Sequence, residues 1–236
     1  MSMTTAKDLP KACGLMREED VLLCCRKGVE ICGFVTEYPV PVPWNLTGDR
    51  CGELLPLVKD GARSCVVTGG TREKIRALAL RLQPDFVQLH GGESLAVTAD
   101  LVQDLAPRGI QVIKTVPPSE EARRREFGTA DPGECGRLLE RAGVYAALVD
   151  ARGPDNAAKA GARVDPSLFL AVREAVRCTV ILGGGVRSEN CAQLIASLDP
   201  AVLDVMTGVE TKPGIKSEAM LDALLAAMET AHRPPD

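Results

Sequence analysis

The chain alternates short apolar runs typical of β-strands with amphipathic runs typical of helices from one end to the other. The strand-like runs occupy residues 9–13, 29–35, 64–68, 85–89, 110–116, 144–149, 179–182 and 202–205. The amphipathic runs include residues 17–26, 72–81, 95–105, 166–176, 188–197 and 217–228. Strands and helices that alternate at roughly 30-residue spacing indicate βαβ units, and therefore a parallel sheet.

The number of strand candidates favours a closed barrel. Eight strands in a chain of 236 residues match a single-domain (β/α)8 TIM barrel of the α/β class. An open, doubly wound sheet gives the same alternation with about five or six strands and stays the alternative. We expect the barrel at residues 9–230, with flexible tails at 1–8 and 231–236. In the irregular stretch 117–143 we expect two short helices, the second at 134–141.

Composition and charge argue against several classes of protein. A formal net charge of −4 and a pI near 5.4 are not those of a nucleic-acid binder. No apolar run approaches the roughly 20 residues of a membrane span, and the first residues lack the apolar segment of an export signal. Nine cysteines without paired metal-ligand spacing fit a reducing compartment, so we expect a cytoplasmic protein.

In a (β/α)8 barrel the reactive groups lie where the strands end. Cys13 ends the first strand, and Asp150 ends the sixth. A carboxylic acid and a thiolate can divide proton donation and proton removal between them. Lys11 lies two residues before Cys13 on the same strand face, where its charge can lower the thiol pKa. Each residue also fits a structural role, Cys13 as a buried cysteine and Asp150 as a helix cap.

Two glycine loops form a second candidate site. Gly183-Gly184-Gly185 ends the seventh strand, and Met206-Thr207-Gly208 follows the eighth. Backbone N–H groups in such loops approach a phosphate closely, and a helix that begins just after the first loop adds the positive end of its dipole. The alternative is that these glycines serve only tight turns.

Four further features of the sequence have plain structural interpretations. His90 ends the fourth strand, but it can simply bond neighbouring backbone, and we assign it no proton-transfer role. Lys114, near the end of the fifth strand, either lines the pocket or pairs with a nearby acid. The run Arg123-Arg124-Arg125 is interpreted as a solvated helix face. Cys24 and Cys25 are adjacent, a spacing that does not fit a metal site.

The chain resembles the phosphoribosylanthranilate isomerase family of tryptophan biosynthesis. The family begins with a Lys-x-Cys-Gly motif, to which Lys11-Ala12-Cys13-Gly14 is similar. Further matching motifs are Val87-Gln88-Leu89-His90-Gly91, Leu148-Val149-Asp150, Leu182-Gly183-Gly184-Gly185-Val186 and Asp204-Val205-Met206-Thr207-Gly208-Val209-Glu210. A second cysteine motif, Glu30-Ile31-Cys32-Gly33, resembles the family's second strand instead, so Cys32 is interpreted as structural.

The resemblance implies an Amadori rearrangement of N-(5-phosphoribosyl)anthranilate, without a metal or an organic cofactor. Under it Asp150 is the general acid and Cys13 the general base. The residues it assigns to the substrate and its phosphate are Lys11, Gly184, Gly185, Thr207 and Gly208. We expect a small phosphoribosyl amine as the partner, no nucleic acid or membrane, and a monomer or homodimer.

The chain departs from the family pattern after the second strand. There the family carries Ser-Pro-Arg, whose arginine faces the substrate, whereas residues 38–44 read Tyr-Pro-Val-Pro-Val-Pro-Trp. Trp44 can offer an apolar face, and another arginine such as Arg17 or Arg152 can meet a carboxylate. The glycine-rich turn after the sixth strand is also altered, at residues 156–161. Two alternatives therefore stay open: the same chemistry on a different N-phosphoribosyl amine, or a barrel that binds a sugar phosphate without turnover.

Overall fold

Eight parallel strands close into a barrel in the computed structural model, which describes residues 9–153 and 162–231. Each strand pairs with the next in the chain, and the eighth pairs with the first. The strands are β1 (Leu9–Ala12), β2 (Ile31–Val35), β3 (Arg63–Thr68), β4 (Phe86–Leu89), β5 (Gln111–Val116), β6 (Ala146–Val149), β7 (Thr179–Gly183) and β8 (Val202–Val205). The predicted (β/α)8 barrel is confirmed, and the open sheet is excluded.

Helices follow the strands and surround the barrel. They are α1 (Glu18–Arg26), α2 (Gly48–Leu54), α3 (Arg72–Leu82), α4 (Leu95–Leu105), α5 (Glu120–Phe127), α6 (Pro132–Ala142), α7 (Pro166–Ala175), α8 (Ser188–Leu198) and α9 (Glu218–Ala231). None of these helices is long and apolar enough to cross a bilayer. The predicted tail at 1–8, residues 232–236 and the altered turn at 156–161 lie outside the described residues, while Ala231 ends α9.

Two elements are absent from the sequence-based prediction. Helix α2 has only seven residues, too few to show a helical period, and it begins where the Thr47 hydroxyl accepts a hydrogen bond from the Arg50 N–H. The other is a hairpin of β9 (Glu210–Lys212) and β10 (Ile215–Lys216), which follows β8. Two helices in the irregular stretch are confirmed, but the second begins earlier than expected because Asp131 caps it and Pro132 suits its first position.

Strand register separates the two similar cysteine motifs. Ala12 of β1 pairs with Cys32 of β2, and both side chains pack between the barrel and its helices. Successive strand residues point to opposite faces, so Cys13, one residue further along, packs inside the barrel with Ile31 and Val35. The interpretation of Cys32 as structural agrees with this position, and Cys13 is the cysteine that reaches the barrel mouth.

The interpretation of residues 123–125 as a solvated face is wrong for Arg123. Its side chain is buried, and its guanidinium donates to the carbonyl oxygens of Pro117, Pro118 and Ala130. Arg124 and Arg125 are exposed, as expected. Arg123 therefore fastens α5 to the loops at both of its ends, because a buried guanidinium is tolerated only where its N–H groups find acceptors.

Candidate active site

A pocket lies at the ends of the barrel strands, with about 680 Å³ of space when the part open to solvent is included. Five of the residues predicted from the sequence line it together: Cys13, Asp150, Gly184, Gly185 and Thr207. The two others, Lys11 and Gly208, are not among its lining residues.

Asp150 stands in the pocket directly after β6. Its Oδ1 accepts a hydrogen bond of 3.0 Å from the backbone N–H of Arg152. Burial raises the pKa of this carboxyl above its ordinary value, while that hydrogen bond and the charges of Arg152 and Lys11 act in the opposite direction. A raised pKa increases the fraction of carboxylic acid near neutral pH, which suits a proton donor.

Cys13 meets the pocket at the end of β1. Gly33 leaves room for it, because a Cβ atom at that glycine would lie 2.9 Å from the Cys13 Sγ. Burial raises the pKa of the thiol, while the charge of Lys11 lowers it, Asp204 raises it and Lys216 lowers it. Lys11 acts in the direction expected from the sequence, but burial outweighs it, so the net effect on Cys13 favours the thiol over the thiolate.

Lys11 lies beneath the pocket and is fully buried. It pairs in register with Asp204 of β8, and its Nζ lies 2.6 Å from the Asp204 Oδ2. Asp204 lines the pocket, and its other oxygen, Oδ1, has no hydrogen-bond partner within residues 9–153 and 162–231. A buried carboxylate oxygen without a donor is costly, so a ligand hydroxyl that donates to it gains free energy.

The two glycine loops pack tightly on one side of the pocket. Gly184 has a φ of +92°, and a Cβ atom there would lie 2.6 Å from the backbone nitrogen of Ala151. A Cβ atom at Gly208 would lie 2.0 Å from the carbonyl oxygen of Val186. Glycine is therefore required where the loop after β8 meets the loop after β7. Helix α8 begins at Ser188, two residues after Val186 of the pocket wall, so the N-terminus of the helix follows this side of the pocket.

Apolar side chains from the connection between β2 and α2 form another wall. Tyr38, Val42 and Trp44 line the pocket there. The indole N–H of Trp44 donates to both carboxylate oxygens of Glu210, at 3.1 and 3.2 Å. Trp44 thus takes part in the pocket wall with its orientation fixed by a hydrogen bond.

Lys114 has the structural partner that the sequence allowed, whereas His90 lines the pocket and its Nδ1 contacts a side chain rather than neighbouring backbone. Burial and the charge of Lys114 lower the pKa of His90 to about 4, so its ring is neutral at pH 7. The His90 Nδ1 lies 3.1 Å from the Thr115 hydroxyl. Lys114 pairs with Glu126 at 2.7 Å, which decides between its two sequence-based interpretations. In the described ranges no three His, Cys, Asp or Glu side chains are grouped so that they could hold a metal ion.

A profile of the N-(5'-phosphoribosyl)anthranilate (PRA) isomerase family matches residues 11–227. The chain belongs to this family. It is 28% identical over 227 residues to the N-(5'-phosphoribosyl)anthranilate isomerase of Haloferax volcanii, and the match covers 96% of this chain and 95% of the relative. The resemblance identified from the sequence motifs is thereby confirmed.

Solved structures of PRA isomerases share the fold. The phosphoribosyl anthranilate isomerase from Thermus thermophilus superposes with a TM-score of 0.75 at 25% identity, covering 94% of this chain and 98% of that one. A second phosphoribosyl anthranilate isomerase superposes with a TM-score of 0.71 at 26% identity, covering 94% and 99%. That structure is a complex with reduced 1-(o-carboxyphenylamino)-1-deoxyribulose 5-phosphate.

Sequence reasoning gave no role to several polar residues that this member of the PRA isomerase family places at the site. Asp204 stands in the quoted closing motif, and its position on an inward face of β8 is the signal that could have found it. Glu210 and Lys216 form a buried ion pair of 2.7 Å beside Trp44 and Cys13. No sequence signal shows that pairing, because the hairpin that creates it was not predicted.

Proposed function

We propose that this chain converts N-(5-phosphoribosyl)anthranilate into 1-(2-carboxyphenylamino)-1-deoxyribulose 5-phosphate. The observation that carries the proposal is that Cys13 and Asp150 face one pocket that is also walled by two glycine loops. One part of the pocket can take a phosphate, and two separate groups can handle protons. Family membership supports this substrate over other sugar phosphates.

Binding begins at the phosphate. Backbone N–H groups of Gly184, Gly185, Thr207 and Gly208 and the N-terminus of α8 hold the dianion, since aligned N–H dipoles favour negative charge there. The Asp204 Oδ1 accepts a hydrogen bond from a ribose hydroxyl. Lys11 supports that contact from below, because its ammonium holds the other oxygen of Asp204 in place.

Asp150 opens the sugar ring. It donates its proton to the ring oxygen while the bond between that oxygen and C1 breaks. The lone pair of the anthranilate nitrogen forms the C1=N double bond, which gives a cationic Schiff base and leaves Asp150 as a carboxylate. The raised pKa of Asp150 favours this step because it increases the fraction of the carboxyl that is in the acid form.

Cys13 then acts at C2. Its thiolate removes the C2 proton, the C–H electrons form a C1=C2 bond, and the C=N electrons return to nitrogen. The cationic Schiff base lies beside the thiol and lowers its pKa, opposing the effect of burial. The resulting enolamine becomes the aminoketose when the C2 hydroxyl loses a proton and C1 gains one. The Cys13 thiol releases its proton to solvent when the cationic Schiff base forms beside it. If Asp150 accepts the C2 hydroxyl proton and Cys13 supplies the proton to C1, Asp150 is again an acid, and the Cys13 thiolate regains a proton from solvent when the product leaves.

We further propose that the protein works in the cytoplasm, as a monomer or a homodimer, with no nucleic acid and no cofactor. Support comes from nine cysteines that are all free thiols, eight of them buried, as suits a reducing compartment. The net charge of −4 gives no electrostatic attraction to nucleic acid.

Conversion of substrate labelled with ¹³C at C2 tests the function. The wild-type protein should turn the hydroxyl-bearing C2 resonance into a ketone resonance. A protein that binds the product analogue but forms no ketone from this substrate would refute the proposal. A different N-phosphoribosyl amine would then be the next substrate to try, because Trp44 stands in the loop where the family carries an arginine.

A further inference from the structure

The anthranilate end of the proposed substrate needs a cationic partner. A carboxylate loses its hydration when it enters a pocket, and an unpaired buried charge is strongly unfavourable. The segment between β2 and α2 contributes Tyr38, Val42 and Trp44 to the pocket but no arginine. The partner must therefore come from elsewhere in the chain.

Arg152 reaches this wall from the other side of the pocket. It follows β6, which is four strands away from β2 in the closed barrel, so the two loops face each other across the mouth. The Arg152 guanidinium carbon lies 5.2 Å from the centre of the Trp44 ring, and both residues line the pocket. Arginine stacked on an aromatic face keeps its N–H groups free at the edge, where a planar carboxylate can bind.

The backbone of Arg152 is anchored to Asp150. Its N–H donates to the Asp150 Oδ1 at 3.0 Å. The guanidinium therefore projects from a fixed position beside the proposed acid. Within the described part of the chain no carboxylate lies within 4.0 Å of this guanidinium, although Asp150 shares the pocket with it.

Arg17, the other arginine considered from the sequence, has a different environment. Its guanidinium lies 3.3 Å from the Glu19 carboxylate, and its side chain is exposed enough to be hydrated. It is not among the lining residues of the pocket. Arg17 is thus a matched control with the same side chain outside the site.

We propose that Arg152 and Trp44 form the subsite for the carboxylated aromatic ring, with the ring against the indole and the carboxylate on the guanidinium. The inference rests on the proposed function and names the residues that replace the missing arginine. Substrate chemistry supports it: the carboxylate is ortho to the nitrogen on C1, only a few bonds from the ring oxygen that Asp150 protonates. A guanidinium two residues from Asp150 is therefore at the correct end of the substrate.

Binding of two inert ligands tests the subsite. The first is reduced 1-(o-carboxyphenylamino)-1-deoxyribulose 5-phosphate, and the second is its phenylamino counterpart without the carboxylate. Calorimetry on the full chain should show that Arg152→Gln weakens the first ligand roughly 10- to 100-fold, the effect of losing a charge-assisted hydrogen-bond pair, and leaves the second unchanged. Arg152→Lys should recover part of the loss, since it keeps the charge but not the planar fork. Arg17→Gln should change neither.

Other results would overturn the subsite. If Arg152→Gln weakens the binding of both ligands equally, the side chain only shapes the pocket. If it weakens the binding of neither ligand, the carboxylate binds elsewhere. These results are separate from the proposed function, because binding requires no turnover. A wild type that prefers the carboxylated ligand but does not isomerise the substrate would refute the function alone. If the wild type isomerises the substrate and the Arg152→Gln variant still prefers the carboxylated ligand, only the subsite is refuted.

Discussion

The ammonium group of Lys216 donates a hydrogen bond of 2.5 Å to the backbone carbonyl of Cys13. The same group donates to the carbonyl of Met206 at 3.2 Å and to Glu210 at 2.7 Å. Glu210 in turn accepts the indole N–H of Trp44. One buried lysine thus joins the ends of β1 and β8 and contacts three pocket residues, Cys13 and Met206 directly and Trp44 through Glu210, without lining the pocket itself.

Removing that ammonium should cost both stability and activity. In Lys216→Met the Glu210 carboxylate stays buried without its partner, which should lower the free energy of unfolding by about 3–5 kcal/mol. We also expect kcat to fall, because the ends of β1 and β8 lose their common donor. Urea unfolding and steady-state kinetics measure the two effects.

The double variant Lys216→Met/Glu210→Gln separates the two effects. It removes the unpaired charge, so stability should partly return while kcat stays low. If Lys216→Met alone unfolds at the same urea concentration as the wild type, the role assigned to this ion pair is contradicted.

Gly208→Ala should weaken phosphate binding. The added methyl group would meet the Val186 carbonyl oxygen at 2.0 Å, so the two glycine loops must separate. We expect inorganic phosphate, used as a competitive inhibitor, to bind roughly 10- to 100-fold more weakly, as follows when hydrogen bonds to a charged group are lost. Gly52→Ala is the matched control, because its Cβ would have only an ordinary contact of 3.5 Å with Leu82. If inorganic phosphate inhibits Gly208→Ala and Gly52→Ala equally, a phosphate site at the two glycine loops is excluded.

His90 should make the protein less stable in mild acid. Its pKa is lowered to about 4 in the folded state, whereas the unfolded chain takes up the proton near pH 6.5. Between these values the unfolded state binds more protons, so stability should decrease as the pH falls from 6.5 to 4, by up to about 3 kcal/mol. The raised pKa values of Asp150 and Asp204 act with the opposite sign.

Urea unfolding at pH 7 and pH 5, compared between the wild type and His90→Gln, isolates the contribution of the histidine to the pH dependence of stability. An identical pH dependence in both proteins would exclude this effect.

The barrel could be predicted from the sequence because its signal is local and repeated. Each buried strand is a short apolar run, and eight of them leave little room for another parallel fold. Helix α2 and the hairpin after β8 escaped prediction because they are short and depend on a cap or on a tertiary ion pair. The exposure of Arg123 was misjudged for a related reason: its acceptors are carbonyl oxygens, which leave no trace in the sequence.

The site shows the same division. Cys13 and Asp150 could be placed in one pocket because residues that end parallel strands meet at one face of the barrel. Their pKa values could not be predicted, since these depend on burial and on how Lys11 is shared with Asp204. The stacking of Arg152 on Trp44 joins residues from opposite sides of the barrel, and no spacing along the chain shows that contact.

The acid/base assignment is tested most directly by kcat/KM for N-(5-phosphoribosyl)anthranilate in four proteins: wild type, Cys13→Ala, Asp150→Asn and Cys32→Ala. Cys32 is the matched control, a buried cysteine in a similar motif that faces the helices rather than the pocket. We predict that the first two variants lose activity by about 100- to 10,000-fold, the usual contribution of a positioned acid or base, while Cys32→Ala keeps it. If the wild type turns the substrate over and either Cys13→Ala or Asp150→Asn is as active as Cys32→Ala, the acid/base assignment is contradicted.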